Sequence, residues 1–167
     1  MEIMEKRYIF GPVPSRRLGF SLGVDIIPYK VCSLNCIYCQ LGASGGTTLE
    51  RREYVQIDKV LRELEETLQQ PGRIDYITLS GSGEPTLNSR IGDLIPAIKK
   101  LTTIPVALLT NGTTLVRPEV REALWELDLV VPSLDAGTEK IYRLINRPCA
   151  GLDLDGLVRG ISDFVAG

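Results

Sequence analysis

Apolar positions along the chain change their spacing several times, and each change predicts a new element. Runs of β-prone or consecutive apolar residues predict four strands, at 23–28, 74–80, 105–110 and 129–131. Pro132 directly after the fourth run favours a strand end or a bulge, because proline cannot donate to a central ladder. Apolar residues spaced three or four apart predict helices between and after the strands, at 57–68, 91–98, 118–127, 138–145 and 153–165.

The predicted helix boundaries rest on capping and breaking residues. Pro71-Gly72 is expected to stop the first helix, and Asn88 or Ser89 is expected to cap the second. Thr138 and Asp153 are predicted caps of the last two helices. On the final helix one apolar face is expected, built from Leu154, Leu157, Val158, Ile161 and Val165.

Strands that alternate with helices predict an α/β domain with a parallel sheet and right-handed crossovers. The length of 167 residues and the absence of a linker or repeat favour one domain over 1–167. In such folds the functional loops follow the carboxyl ends of the strands. The candidate motifs of this chain all fall at such positions.

Composition narrows the chemistry that this domain could perform. The chain has 44% apolar and 24% charged residues, a net charge of −2 and no histidine. These values exclude long disorder and a collagen-like chain, and they do not support a broad nucleic-acid-binding face. Without an imidazole, the Ser–His and Cys–His pairs and His-ligated zinc are excluded too.

The four cysteines are expected to be reduced. Residues 1–8 lack an apolar signal region, and no apolar run approaches the ~18 residues of a membrane span. The expected location is therefore the cytoplasm, where thiols act as ligands, nucleophiles or packing groups and not as disulfides.

Three of these cysteines follow the first predicted strand. Cys32, Cys36 and Cys39 have the spacing Cys-x3-Cys-x2-Cys. Three thiolates on one loop can hold three irons of a four-iron cluster and leave one iron without a protein ligand. Two alternatives remain open from spacing alone, namely small buried packing residues and a zinc site completed by Cys149.

Polar and glycine-rich groups follow the other three strands. They are Ser82-Gly83-Glu84 after the second, Thr110-Asn111 after the third and Ser133 with Asp135 after the fourth. Glycine permits close backbone approach, and hydroxyl, amide and carboxylate groups can bond a ribose or an amino acid. The alternatives are a glycine-rich βα turn, an Asn-Gly turn and, for Asp135, a helix cap.

Taken together, the cysteine spacing, its place after a first strand and the aromatic Tyr38 before the third cysteine resemble the radical S-adenosylmethionine (SAM) superfamily. The resemblance implies a [4Fe–4S] cluster on the three cysteines and SAM bound to the open iron. It further implies reductive cleavage of SAM to a 5′-deoxyadenosyl radical that abstracts hydrogen from a substrate. A one-electron reductant such as flavodoxin or ferredoxin is an expected partner.

The same resemblance assigns the SAM contacts and the architecture. A Gly-Gly-Glu-type motif normally meets the SAM amino group, and here serine replaces its first glycine. The implied SAM-contacting residues are Tyr38, Ser82, Gly83, Glu84, Thr110, Asn111, Ser133 and Asp135. The family core is a partial (β/α) barrel of about six units, of which this sequence predicts about four. Further strands or another chain would then complete the substrate side.

Three features stay outside this core motif set. The segment 11–19, with Arg16 and Arg17, resembles, together with residues 38–42 and 145–148, a branch of uncharacterised iron–sulfur oxidoreductases near the enzymes of tRNA wyosine-base synthesis. The two arginines could clamp an anion or be solvated, and Cys149 is interpreted as a bystander.

The competing hypothesis to an enzyme is an iron–sulfur or zinc module that does not cleave SAM. A tRNA-modifying enzyme is a weaker third hypothesis.

Overall fold

The computed structural model describes residues 7–43 and 45–167, and most of the segment 1–8, in which no signal region is expected, lies outside the described residues. The strands and helices, in chain order, are β1 (Ile9–Ser15), β2 (Gly19–Asp25), α1 (Ile57–Leu68), β3 (Tyr76–Ser80), α2 (Ile91–Leu101), β4 (Val106–Thr110), α3 (Pro118–Ala123), β5 (Leu129–Pro132), α4 (Glu139–Ile145) and α5 (Leu154–Ala166). A short 3-10 helix at Pro85–Leu87 follows β3. None of the described helices is long and apolar enough to cross a membrane.

One mostly parallel sheet, in the order β1-β2-β3-β4-β5, organises the domain. The strands from β2 to β5 pair in parallel, which confirms the predicted α/β fold with its four βα units. β5 lies at one edge of this sheet, and its last residue Pro132 pairs with Thr110 at the end of β4. The carboxyl ends of the four parallel strands therefore meet at one edge, where the candidate motifs lie.

Two apolar clusters stabilise the fold. The larger one contains the interior residues of β2, β3 and β4 with the buried faces of α1 and α2. On α1 these are Ile57, Val60 and Leu64, whose spacing of three and four gives the helix one apolar face. The smaller cluster joins Leu34 of the cysteine loop to Tyr142 of α4 and to the start of α5. The last two helices therefore support the cysteine loop.

Several predicted boundaries are confirmed by hydrogen bonds. The Thr138 hydroxyl accepts from the Ile141 amide, and the Asp153 carboxylate accepts from the Gly156 amide at 2.6 Å. The cap position of α2 is Arg90, which makes no side-chain bond, and not the predicted Asn88 or Ser89. Asn88 still accepts from the Arg90 amide at 3.0 Å, and its buried side-chain nitrogen donates to the carbonyl oxygens of Ile26 and Val55.

Other expectations need correction. The first element is β1, an antiparallel edge strand that the sequence did not predict, and β2 begins and ends earlier than expected. α3 ends at Ala123 and not near residue 127. On α5, Val158 and Val165 are exposed and do not belong to the buried face. Glu63 of α1 accepts from the backbone amides of Tyr8 and Ile9.

Candidate functional site

The three motif cysteines lie on one loop that leaves the carboxyl end of β2. Cys32, Cys36 and Cys39 are free thiols and are all partly buried. Tight turns fold the loop, with the Cys39 amide donating to the Cys36 carbonyl at 3.1 Å. Among the described residues no three His, Cys, Asp or Glu side chains converge as ligands of a single ion. A four-iron cluster needs no such convergence, because each thiolate binds a different iron.

Nitrogen donors surround the sulfur atoms of this loop. The Leu34 backbone amide and the Asn111 side-chain amide each donate to Cys32 Sγ at 3.5 Å. Asn146 Nδ2 donates to Cys36 Sγ at 3.4 Å. Donors of this kind stabilise thiolates and cluster sulfurs. The chemistry of the site therefore fits an iron–sulfur cluster held by the three thiolates.

The thiols differ in their readiness to ionise. Burial raises the pKa of Cys32 to about 11, and the nearby Glu84 carboxylate acts in the same direction. Burial opposes ionisation at Cys39 as well, but the Lys30 ammonium and the Leu41 amide outweigh it and lower the pKa of that thiol. Cys39, beside Lys30, is therefore the easier of the two to deprotonate.

The glycine-rich turn after β3 packs backbone to backbone against the start of the cysteine loop. A Cβ on Gly83 would lie 2.0 Å from the Val31 carbonyl oxygen. The Lys30 amide donates to the Ser82 carbonyl at 2.5 Å, and the Glu84 amide donates to the Val31 carbonyl at 3.0 Å. Position 83 therefore requires glycine, because a residue with a Cβ could not approach Val31 this closely. This contact fixes the position of the backbone that leads to Cys32.

Glu84 is buried and is held by hydrogen bonds within the protein. Its carboxylate accepts from Thr86 through both amide and hydroxyl, from the Thr110 hydroxyl at 2.6 Å and from the Asn111 amide at 2.7 Å. Burial raises the pKa of Glu84, while these donors favour its charged form. The side chain ties the end of β3 to the end of β4, so any contact of Glu84 with SAM is left to its backbone.

The two predicted residues at the end of β4 face the same network. Thr110 is buried and its hydroxyl is bonded to Glu84. The Asn111 amide nitrogen donates to Cys32 Sγ and to the Ser33 hydroxyl, and its oxygen accepts from Thr113. These side chains therefore position the cysteine loop in this structure, and their contact with SAM stays a prediction.

The end of β5 reaches the cysteine loop through Asp135. Its carboxylate accepts from the Tyr38 hydroxyl and, at 3.3 Å, from Asn146 Nδ2. Burial and the hydrogen bond to Asp135 raise the pKa of Tyr38, so its hydroxyl stays protonated and donates. Ser133 is exposed, and its backbone amide donates to the Thr110 carbonyl at 2.9 Å. The structure thus joins Tyr38 to Asp135, while the hydroxyl of Ser133 remains accessible.

Sequence reasoning did not single out Asn146, which is 2% exposed and central to this network. Its amide group donates to Cys36, Tyr38 and Asp135, whereas its oxygen has no hydrogen-bond partner among the described residues. An unpaired buried acceptor costs about 1–3 kcal/mol. Its signal in the sequence was its place in the segment 145–148, which resembles that family branch, whereas a polar residue at a helix end by itself resembles an ordinary helix cap.

Two other candidates, Cys149 and the Arg16-Arg17 pair, differ in how close they come to this network. Cys149 contacts the cysteine loop through its backbone amide, which donates to the Ser33 carbonyl at 2.9 Å. Arg16 and Arg17 lie in the turn between β1 and β2, at the amino end of β2. A seven-residue strand separates them from the cysteine loop by about 20 Å. The structure therefore does not bring these arginines to the site.

Family comparison agrees with this geometry. The family model of the radical SAM superfamily matches residues 26–151, which include the cysteine loop and all the strand-end motifs. The chain is 25% identical to a solved structure described as native anSMEcpe with bound AdoMet, at a TM-score of 0.62. That match covers 86% of this chain and 40% of the solved one.

Among curated proteins, a Brachyspira hyodysenteriae protein named GTPase Obg is 47% identical over 96% of the chain and 24% of its own length. The UPF0026 protein MJ1312 of Methanocaldococcus jannaschii is 41% identical over 93% of the chain and 49% of its length. A probable GTP 3′,8-cyclase of Pyrococcus abyssi is 34% identical, with coverages of 79% and 40%. The chain thus spans from about a quarter to about half of the length of these relatives.

The parallel sheet, the three cysteines on the loop after β2 and the match over residues 26–151 lead to the same assignment. This chain belongs to the radical SAM superfamily.

Proposed function

We propose that this chain is a radical SAM enzyme that binds a [4Fe–4S] cluster through Cys32, Cys36 and Cys39. When bound, the cluster supplies an electron that cleaves SAM to methionine and a 5′-deoxyadenosyl radical, which abstracts hydrogen from a substrate. The observation that carries the proposal is the loop itself, because it carries three free thiols, whereas the fourth cysteine, Cys149, belongs to a different segment of the chain. A cluster held there has one iron available for SAM.

The contacts and hydrogen bonds that the surrounding residues make without any cofactor support this proposal. Gly83 and the Glu84 amide hold the start of the loop, and Asn111 and Asn146 direct N–H groups at two of the sulfurs. Tyr38 extends from the loop beside Cys39 with its hydroxyl tied to Asp135. Its exposed ring offers a flat surface on which we expect the adenine of SAM to pack.

The test is anaerobic reconstitution with iron and sulfide, followed by dithionite and SAM. We expect about four irons per chain and formation of 5′-deoxyadenosine. Cys36→Ala should lose the iron, whereas Cys149→Ser, which alters a thiol outside the trio, should keep it. A wild-type chain that binds the cluster but forms no 5′-deoxyadenosine would instead be the iron–sulfur module that does not cleave SAM, and a purified chain that holds zinc in place of iron would be the zinc module.

The relatives guide the substrate only in part. The sequence lacks the GxxxxGK[ST] motif that cradles nucleotide phosphates, so the name of the Brachyspira protein does not suggest GTPase chemistry here. We leave the substrate open and propose a one-electron reductant, such as flavodoxin or ferredoxin, as the electron source. A reducing compartment such as the cytoplasm suits four free thiols.

A further inference from the structure

We infer that Asn146 is a positioning residue that holds Cys36 and Tyr38 in place and raises the reduction potential of the cluster. This inference rests on the proposed function, since it concerns the same cysteine loop. Asn146 follows the last residue of α4 and is 110 positions from Cys36 in sequence. None of the motifs that define the candidate site includes it.

The side-chain amide of Asn146 joins three groups of the site. Its Nδ2 atom lies 3.4 Å from Cys36 Sγ, 2.9 Å from the Tyr38 hydroxyl oxygen and 3.3 Å from Asp135 Oδ2. The Tyr38 hydroxyl in turn donates to Asp135. One amide group thus links the second cysteine, the residue before the third cysteine and the end of β5.

The contacts of the Asn146 side chain are made by its N–H donors and not by its acceptor oxygen. The side-chain oxygen is buried with no hydrogen-bond partner among the residues that the structure describes. The opposite orientation of the amide would aim this oxygen at a sulfur, a carboxylate and a phenol that already donates elsewhere. A leucine of similar size would remove that unpaired oxygen, so packing alone does not account for an asparagine here.

The backbone around Asn146 places the amide with little freedom. The Asn35 amide donates to the Asn146 carbonyl at 3.0 Å, and the Ile37 amide donates to the Ile145 carbonyl at 2.8 Å. Leu34 and Pro148 form an antiparallel bridge, and Arg147, directly before Pro148, has a φ of 46°. The segment 145–148 therefore runs along the cysteine loop and holds it on one side.

The expected effect follows from the charge of the reduced cluster. An N–H group directed at a cysteine sulfur stabilises the more negative, reduced state and so raises the potential. Replacing Asn146 by leucine should make the potential more negative. It should also release Tyr38 and the second half of the cysteine loop.

The experiment compares Asn146→Leu with Thr138→Ala, which removes the amino-terminal cap of α4 and leaves the Asn146 amide intact. The first readout is the midpoint potential of the reconstituted cluster without SAM, measured by EPR-monitored titration. The second is hydrogen exchange of residues 35–39 in the metal-free chain, which we expect to be roughly two- to tenfold faster in Asn146→Leu only. Neither readout needs SAM cleavage, so failure of the proposed enzyme activity is a separate result.

A more negative potential or faster exchange in Asn146→Leu than in Thr138→Ala supports the inference, as does a folded Asn146→Leu chain that no longer retains iron. Equal potentials and equal exchange in the two variants overturn it. Should Asn146→Leu fail to fold, Asn146→Ser replaces it, because serine is polar but too short to reach Cys36, and the same two readouts decide.

Discussion

Gly83→Ala tests whether the glycine-rich turn sets the position of the cysteine loop. The added Cβ would lie 2.0 Å from the Val31 carbonyl oxygen and 2.6 Å from Ile27 Cγ2, and atoms must separate to at least 3.0 Å. The Val31 carbonyl oxygen is a backbone atom, so it cannot rotate away as a side chain would. Moving the carbonyl by about 1 Å overpacks the site at a cost of about 1–3 kcal/mol. It also weakens the bond between the Glu84 amide and Val31, worth about 0.5–1.5 kcal/mol.

The total is about 1.5–4.5 kcal/mol, which in a domain of this size lowers Tm by about 3–18 °C. We expect this loss in urea and thermal unfolding of metal-free protein, together with a reduced iron content after reconstitution. Gly137→Ala is the matched control, because a Cβ there meets nothing within 4 Å. If the two variants unfold alike and retain equal iron, the close contact at Gly83 does not position the loop and the reasoning is refuted.

Further predictions concern the polar groups. Glu84→Gln should cost about 2–3 kcal/mol in urea unfolding, because one end of the new amide must direct its N–H groups at Asn111 or at the threonine donors. Asn88→Ala should cost about 2–4 kcal/mol, since two buried carbonyls lose their donor, while Ser89→Ala should change stability by less than about 0.5 kcal/mol. The Phe20 amide and Arg73 lower the pKa of Asp75, so its stabilisation is present above its ordinary pKa of about 4 and is lost as the pH falls toward the lowered value. Asp75→Asn should therefore flatten the fall of the urea midpoint below about pH 4.

Each of these predictions has an opposing result. A Glu84→Gln protein as stable as the wild type would mean that the carboxyl is already protonated and that its network tolerates an amide. Equal losses of stability in Asn88→Ala and Ser89→Ala would instead support the predicted role of this pair as the cap of α2. An unchanged acid limb in Asp75→Asn would mean that other carboxylates govern acid unfolding.

Local patterns were enough to predict the parallel part of the fold. The buried face of α1 and the caps Thr138 and Asp153 follow from interactions within three or four residues, and the structure confirms them. β1 was not predicted because two prolines and a glycine interrupt its pattern, and an antiparallel edge strand needs no continuous apolar run. Asn88 was misplaced for a related reason, because its partners Ile26 and Val55 are remote in sequence.

The site was predictable only where its chemistry is local. The cysteine spacing identifies the loop, and the polar strand ends identify the edge of the sheet at which it lies. The roles of Glu84 and Asn111 could not be inferred, because both depend on contacts between different loops. Asn146 escaped notice for the same reason, since its partners Cys36 and Tyr38 lie more than a hundred residues earlier.

The bridge between Leu34 and Pro148 has a consequence for how the protein is made. During synthesis the three thiols leave the ribosome long before the residues that flank them in the finished domain. Until Pro148 has emerged, the cysteine loop lacks its contacts with the segment 145–148. Its cysteines are then accessible to oxidation and to other metal ions. Delivery of iron and sulfide to this chain is therefore best timed after the last two helices have docked.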